Sequence, residues 1–198
     1  MNPKSILLLY EGETEEEFYR RIINLKVPPR TIRISYSNLK GITTNINYKV
    51  LRKIYKHLST NEGEDQIYVF VAVDREGDRS NDSPMDIGRL KKELSKDTVR
   101  VVDVIEVIAT QDIECWFLLD IDNIFNYLRV PQNKRNPEKY SNTEAFNNRD
   151  LSNLFRQYNK VYLKGRRVDN LLDNLDLHRI YNSCQDLRDG INEMLKLI

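Results

Sequence analysis

Ser5-Ile6-Leu7-Leu8-Leu9-Tyr10-Glu11-Gly12-Glu13-Thr14-Glu15 is the stretch on which the fold turns. From Ile6 to Tyr10 the side chains are apolar without alternation, the pattern of a central strand covered on both faces. The run stops at Glu11-Gly12. Thr14 then stands ahead of Glu15, Glu16 and Glu17, an N-cap followed by acids in the first helical turn, where the helix dipole favours them. This first helix is expected to carry Phe18, Ile22 and Ile23 as far as Leu25 and to end at Pro28-Pro29. A buried strand feeding straight into a helix is the opening of a βαβ unit.

The alternation continues outward from there. Residues 31–36 (TIRISY) alternate with β-branched side chains and predict a second strand. Residues 44–58 predict a second helix, with Val50, Leu51, Ile54, Tyr55 and Leu58 on one face and Lys49, Arg52, Lys53 and Lys56 mostly on the other. Residues 66–73 (QIYVFVAV) are the most strand-like segment and end in the polar loop DREGDRSNDSP, residues 74–84. A third helix is expected over 85–96 and a fourth strand over 99–107. Strands alternating with helices in this order predict an α/β fold with a mostly parallel four-stranded sheet flanked by helices. After Ile108 the pattern changes. Residues 112–127 (DIECWFLLDIDNIFNY) predict one helix, residues 131–148 a polar irregular segment, and 151–158, 168–172 and 187–197 further helices. With no linker or internal repeat, residues 1–109 are read as the α/β core and 110–198 as a helical extension packed on the same domain.

Composition bounds the function. A chain of 198 residues supports one domain rather than two. Its 31 Lys+Arg balance 30 Asp+Glu for a net charge of +1, so any case for a polyanionic partner must come from local clusters. Three exist: Lys49, Arg52, Lys53 and Lys56; then Arg129, Lys134, Arg135 and Lys139 beside Tyr140; then Arg166 and Arg167. Each is read either as a phosphate-binding patch or as a solvated surface. No apolar run approaches the ~20 residues of a membrane span, so no membrane partner is expected. The N-terminal apolar stretch is too short for a signal peptide and runs into Glu11, Glu13 and Glu15. Cys115 and Cys184 lie far apart, with no CxxC, and His57 and His178 are isolated, which argues against structural zinc. A buried, reduced Cys115 fits a cytoplasmic protein. A P-loop is excluded because GxxxxGK[ST] is absent.

The acids at the strand ends carry the chemistry. Glu11 follows the first strand at once, and Asp74 and Glu76 follow the third. In an open parallel sheet, ligands bind at the C-terminal strand edge. If strands one and three are neighbours, these acids meet in one crevice. Carboxylates brought together repel, and burying them unpaired is costly; a divalent cation with a preference for hard oxygen, Mg²⁺ or Mn²⁺, relieves both. Glu11, Asp74, Glu76 and Asp78 are therefore the candidate metal ligands. Asp82 reads as loop or N-cap chemistry. Taken singly, each acid also reads as a helix cap or a solvated loop residue.

The combination of a hydrophobic strand with Glu11-Gly12-x-Thr14-Glu15 and a second hydrophobic strand with Asp74-x-Glu76 resembles the Toprim fold, a Rossmann-like sheet shared by topoisomerases, bacterial primases and OLD-type nucleases. The whole chain is most similar to small stand-alone Toprim-like proteins of bacterial defence and mobile-element neighbourhoods, the RloB-like group. Glu114, in Asp112-Ile-Glu-Cys-Trp-Phe-Leu-Leu-Asp120, matches a later acid-bearing apolar helix of that group. The likeness covers residues 5–120 well and the tail only through Tyr162-Leu-Lys164-Gly165 and the terminal helix. The chain departs from the pattern at Glu76, where Asp is usual, and at Asp120, where relatives often carry His.

The resemblance implies an Mg²⁺-dependent nuclease of a bacterial or phage defence or mobile-element system. Asp74 and Glu76 would hold the ion, and Glu11 would ligate it or act as general acid/base. Glu114 would complete a second site or orient the helix closing the crevice; its bland alternative is a first-turn helix acid. Lys164 would neutralise charge on the scissile phosphate, against the alternative of a solvated lysine. The implied partners are nucleic acid, DNA or RNA, and a partner ATPase, with a homo-oligomer left open. Two other functions fit the same residues. One is a non-catalytic interaction subunit that binds a partner ATPase or nucleic acid. The other is a nucleotide phosphotransferase or phosphohydrolase using Asp74 as phosphoryl acceptor.

Overall fold

The computed structural model describes residues 3–40, 45–61, 63, 65–75, 84–109, 112–142 and 145–198. The apolar run forms strand β1 (Lys4–Tyr10), and every residue after Lys4 is buried. It is buried because it is central. β1 pairs in parallel with β2 (Arg33–Asn38) on one side and with β3 (Gln66–Asp74) on the other, and β3 pairs in parallel with β4 (Val101–Ala109). The sheet order is β2-β1-β3-β4, which places the first and third strands side by side. Tyr10 stands opposite Asn38 on one flank and Ala72 on the other, so the three strands finish at nearly the same level.

Successive side chains of a strand point to opposite faces, and here each face has its own cover. Helices α2 (Ile46–Thr60) and α3 (Ile87–Asp97) bring Val50, Ile54, Leu90 and Leu94 against Leu7, Leu9, Val69 and Val71. On the opposite face, α1 (Glu13–Lys26) brings Phe18 and Ile22 against Ile6, Leu8 and Phe70. Each fully buried aliphatic or aromatic side chain contributes about 1.5–3 kcal/mol.

The rest of the chain completes that second face. It forms α4 (Ile113–Phe117), α5 (Ile121–Leu128), α6 (Asn148–Gln157), α7 (Asp169–Leu172), α8 (Leu177–Ser183) and α9 (Gln185–Leu195). Phe117, Ile124, Leu151, Leu172, Leu187 and Ile191 join the same apolar cluster as α1 and the sheet. α9 lies on β4 with Gly190 at the contact, where a Cβ would come within 2.5 Å of Val107 Cγ2. Among the described residues no helix is long and apolar enough to cross a membrane.

The helix expected over 112–127 is interrupted. A 3₁₀ turn, Leu118–Asp120, separates α4 from α5. The cause is tertiary. Asp120 is fully buried and its Oδ2 accepts hydrogen bonds from the Asp176 backbone N–H at 2.6 Å and from Asn123 Nδ2 at 2.8 Å, while Arg179 lies 3.4 Å from Oδ1. Those bonds tie the turn to the start of α8, a helix not anticipated in the sequence. The Asp120 carboxylate is thus a structural anchor. β2 starts and ends two residues later than expected, on a half-buried edge where alternation marks boundaries poorly.

Candidate active site

Because β1 and β3 are neighbours, the first residue after β1 reaches the last residue of β3. Glu11 is buried and its Oε1 accepts a hydrogen bond from the Asp74 backbone N–H at 2.7 Å, extending the ladder with a carboxylate where backbone pairing ends. One acid thereby fixes the strand end that carries the next.

Each remaining member of the Glu11-Gly12-x-Thr14-Glu15 motif has a local task. Gly12, not Thr14, is the N-cap of α1, which corrects the sequence expectation. Glu15, three residues on, turns its carboxylate back toward Gly12. The approach is close: a Cβ on residue 12 would lie 2.8 Å from Glu15 Oε2. Thr14 is buried, and its Oγ1 accepts from the Gly165 N–H at 2.8 Å. Gly165 sits in the left-handed region at φ +72°, with Glu13 Oε2 only 2.8 Å from where its Cβ would be. This pins the segment carrying Lys164 against the N-terminus of α1.

The opposite wall comes from α4. Asp112 is its N-cap residue; Oδ2 accepts from the Asn148 N–H at 2.7 Å, while Oδ1 is buried with no hydrogen-bond partner among the described residues. Glu114, 1% exposed, accepts from the Tyr162 hydroxyl at 2.9 Å and lies 3.1 Å from the Lys164 ammonium. Between these walls is an open cleft of about 680 Å³, lined by Glu11, Glu15, Asp74, Asp112, Lys164 and the Asn147–Arg149 turn among others.

The electrostatics follow from that crowding. Burial, then the charges of Glu15, Glu11, Glu114 and Asp112, push the Asp74 carboxyl up to about 10. Burial and Glu114 raise Asp112 to about 6, and burial foremost raises Glu15. Burial alone would lower Lys164, but Glu114 beside it leaves the ammonium raised overall. Carboxylates thus outnumber the cations Lys164 and Arg149 in the cleft lining, and Asp74 among them holds its proton through neutral pH.

Glu11, Asp74, Glu114 and Lys164 are therefore brought together, whereas Glu76, Asp78 and Asp82 lie outside the described residues. Among the described residues no three acid, histidine or cysteine side chains close around one point tightly enough to cage a metal ion. The donor set nonetheless has the chemistry that hard divalent cations select, all carboxylate oxygen, including the unpartnered Asp112 Oδ1. Two members of the cluster were missed as site residues in the sequence, Glu15 and Asp112. The signal for Asp112 was present: Asp112-Ile-Glu114 has the acid-x-acid spacing of Asp74-x-Glu76.

Two of the three basic clusters serve local structure in part. Arg135 donates to the Val130 carbonyl and to Asn126 at the end of α5, Lys139 sits over the Tyr140 ring, and Arg166 approaches Glu13 at 3.9 Å.

Comparison with known proteins yields three findings. The family model described as "Domain of unknown function (DUF4276)" matches residues 10–195. No curated protein matches the chain. Among solved structures, the C-terminal region of the Xanthomonas campestris pv. campestris OLD protein is similar with a TM-score of 0.43 and 14% identity, over 98% of both chains, a likeness too loose to carry a functional reading.

Proposed function

The chain belongs to the DUF4276 family, and we propose that it is a metal-dependent phosphodiesterase of the Toprim type that cleaves nucleic acid, in the setting of a bacterial or phage defence or mobile-element system. One observation carries this reading. Glu11 from the end of the neighbouring parallel strand and Glu15, Asp112 and Glu114 from the starts of two helices act on Asp74, which without a counter-cation stays protonated to about pH 10. The sheet edge where this charge gathers is where α/β proteins bind ligands. Perturbed carboxylates of this kind, gathered in a cleft, mark functional sites more often than structural ones.

In this reading Asp74 and Glu11 hold an Mg²⁺ or Mn²⁺ ion, with Glu76 and Asp78 as further ligand candidates and Asp112 Oδ1 as the acceptor nearest to hand on the facing wall. The ion, when bound, supplies charge stabilisation to the attacking and leaving oxygens of a phosphodiester. Glu11 keeps the β3 end in place through its bond to the Asp74 N–H. Lys164, held beside Glu114 at the cleft, places a positive charge next to the scissile phosphate. Glu114, buried under Tyr162 and Lys164, positions that lysine.

Purified protein is expected to nick plasmid or degrade single strands with Mg²⁺ or Mn²⁺ and not with EDTA. Glu11→Gln and Asp74→Asn should each abolish cleavage while leaving the circular-dichroism spectrum unchanged, because Gln can still accept from the Asp74 N–H. Wild-type cleavage by both variants refutes the assignment. Calorimetric titration separates the remaining alternative: no site-specific Mg²⁺ or Mn²⁺ binding favours the non-catalytic interaction subunit.

A further inference from the structure

α2 stands apart from the rest of the surface. Its fifteen residues carry Lys49, Arg52, Lys53 and Lys56 and not one acid, in a chain whose 31 Lys+Arg are matched overall by 30 Asp+Glu. Several surface cations elsewhere are neutralised: Arg20 by Glu16, Arg21 by Asp169 and Asp173, Arg89 by Glu93, Lys91 by Asp103. Arg52, Lys53 and Lys56, together with Lys40, have no ion-pair partner among the described residues. Lys53 feels the crowding directly: after burial, it is Lys56, Lys40 and Arg52 that lower its ammonium, and no carboxylate opposes them.

The placement of this patch connects it to the cleft. Asn38 at the end of β2 pairs with Tyr10, and the Leu39 N–H donates to the Tyr10 carbonyl at 2.7 Å. Lys40 therefore follows β2 at the same edge of the sheet where Glu11 follows β1. β2 and β3 run in the same direction, so α2 must return from that edge. At about 1.5 Å per residue, the ten residues from Ile46 to Lys56 carry the cations some 15 Å down the side of the molecule. Tyr48 and Arg52, four apart and both exposed, share the outward face of the helix, and Tyr48 is 59% exposed. A row of unneutralised cations with an exposed aromatic ring beside it is the chemistry that holds a phosphate backbone and stacks an unpaired base.

We propose that the outer face of α2, with Lys40, Arg52, Lys53, Lys56 and Tyr48, is a track for single-stranded nucleic acid that leads to the carboxylate cleft. The track deepens the phosphodiesterase reading and rests on it only for the identity of the polyanion. The test is binding of fluorescein-labelled oligothymidylate, followed by anisotropy across a salt series in EDTA, so that no cleavage is required. Each phosphate contact on a single strand adds about 0.7 to the slope of log K against log salt. Lys53→Gln with Lys56→Gln should therefore flatten the slope by about 1.4, and the paired Arg replacements should restore it. Tyr48→Ala should weaken oligothymidylate binding about tenfold and leave a duplex of the same length unaffected. An unchanged slope in the double Gln variant, or equal binding of oligothymidylate by Tyr48→Ala and wild type, overturns the track. So does binding of phosphatidylserine-rich vesicles in place of the oligonucleotide. Metal-dependent cleavage with an unchanged slope sinks the track alone; the expected slopes without any cleavage sink the phosphodiesterase reading alone.

Discussion

Replacing Asp74 by Asn should stabilise the metal-free protein, and increasingly so as pH rises. In the folded chain the Asp74 carboxyl keeps its proton to about pH 10, against an ordinary value of 3.8. Between those values the native state binds one proton that the unfolded state has released. Unfolding free energy then falls with pH at the one-proton slope, about 1.4 kcal/mol per unit. Stability tied to this group is fully present below about pH 4 and is lost as pH climbs toward 10. Across the three units from about pH 5 to pH 8 the loss comes to about 4 kcal/mol, and an amide, which does not titrate, is spared it. At about 2–4 °C per kcal/mol for a chain of this size, the Tm advantage of Asp74→Asn should widen by roughly 8–16 °C over that window. The other acids titrate in both proteins, so the difference isolates Asp74. Thermal melts by calorimetry in EDTA provide the measurement. Adding Mg²⁺ should then narrow the gap, since saturation to about a hundred times Kd stabilises only the protein that binds it, by about 2.7 kcal/mol. Parallel pH profiles for the two proteins would refute the view that neighbouring acids hold Asp74 protonated.

Two further predictions concern the frame around the cleft. Gly190→Ala gains helix propensity of about 1 kcal/mol but drives its methyl into Val107, and overpacking of about 1–3 kcal/mol should win. Chemical denaturation should show a net loss of stability that Val107→Ala in the same chain partly recovers. Asp120→Ala strips acceptors from the Asp176 N–H, Asn123 and Arg179, and should cost about 3 kcal/mol. Mg²⁺ affinity at native temperature should stay within about twofold of wild type, because Asp120 does not line the cleft.

β1 and β3 were legible in the sequence because both are central and buried on both faces, so their apolar runs have no interruption. Their adjacency, and hence the meeting of Glu11 with Asp74, could be stated only as a condition, because strand order is a tertiary property. The motif Glu11-Gly12-x-Thr14-Glu15 was visible, yet its division of labour was not. Thr14 has the chemistry of an N-cap, but its oxygen is committed to Gly165, 151 positions away. Residues 112–127 have continuous helical patterning, and only the backbone of Asp176 explains the turn at Asp120. α8 escaped notice because it buries just Ile180 and Tyr181, too few to mark a period. Glu15 and Asp112 read as ordinary helix-start acids, since nothing local distinguishes an acid that faces solvent from one that faces another acid.

The bond between Thr14 and Gly165 has a consequence for synthesis. The cleft draws on residues about 150 positions apart, and its Lys164 wall is made long after Glu11 and Asp74 have left the ribosome. A prematurely terminated translation product can pair its early strands but holds no finished pocket. A protein able to cut nucleic acid would, on this plan, stay unarmed in the cell that makes it until the segment holding Lys164 and Gly165 has been made.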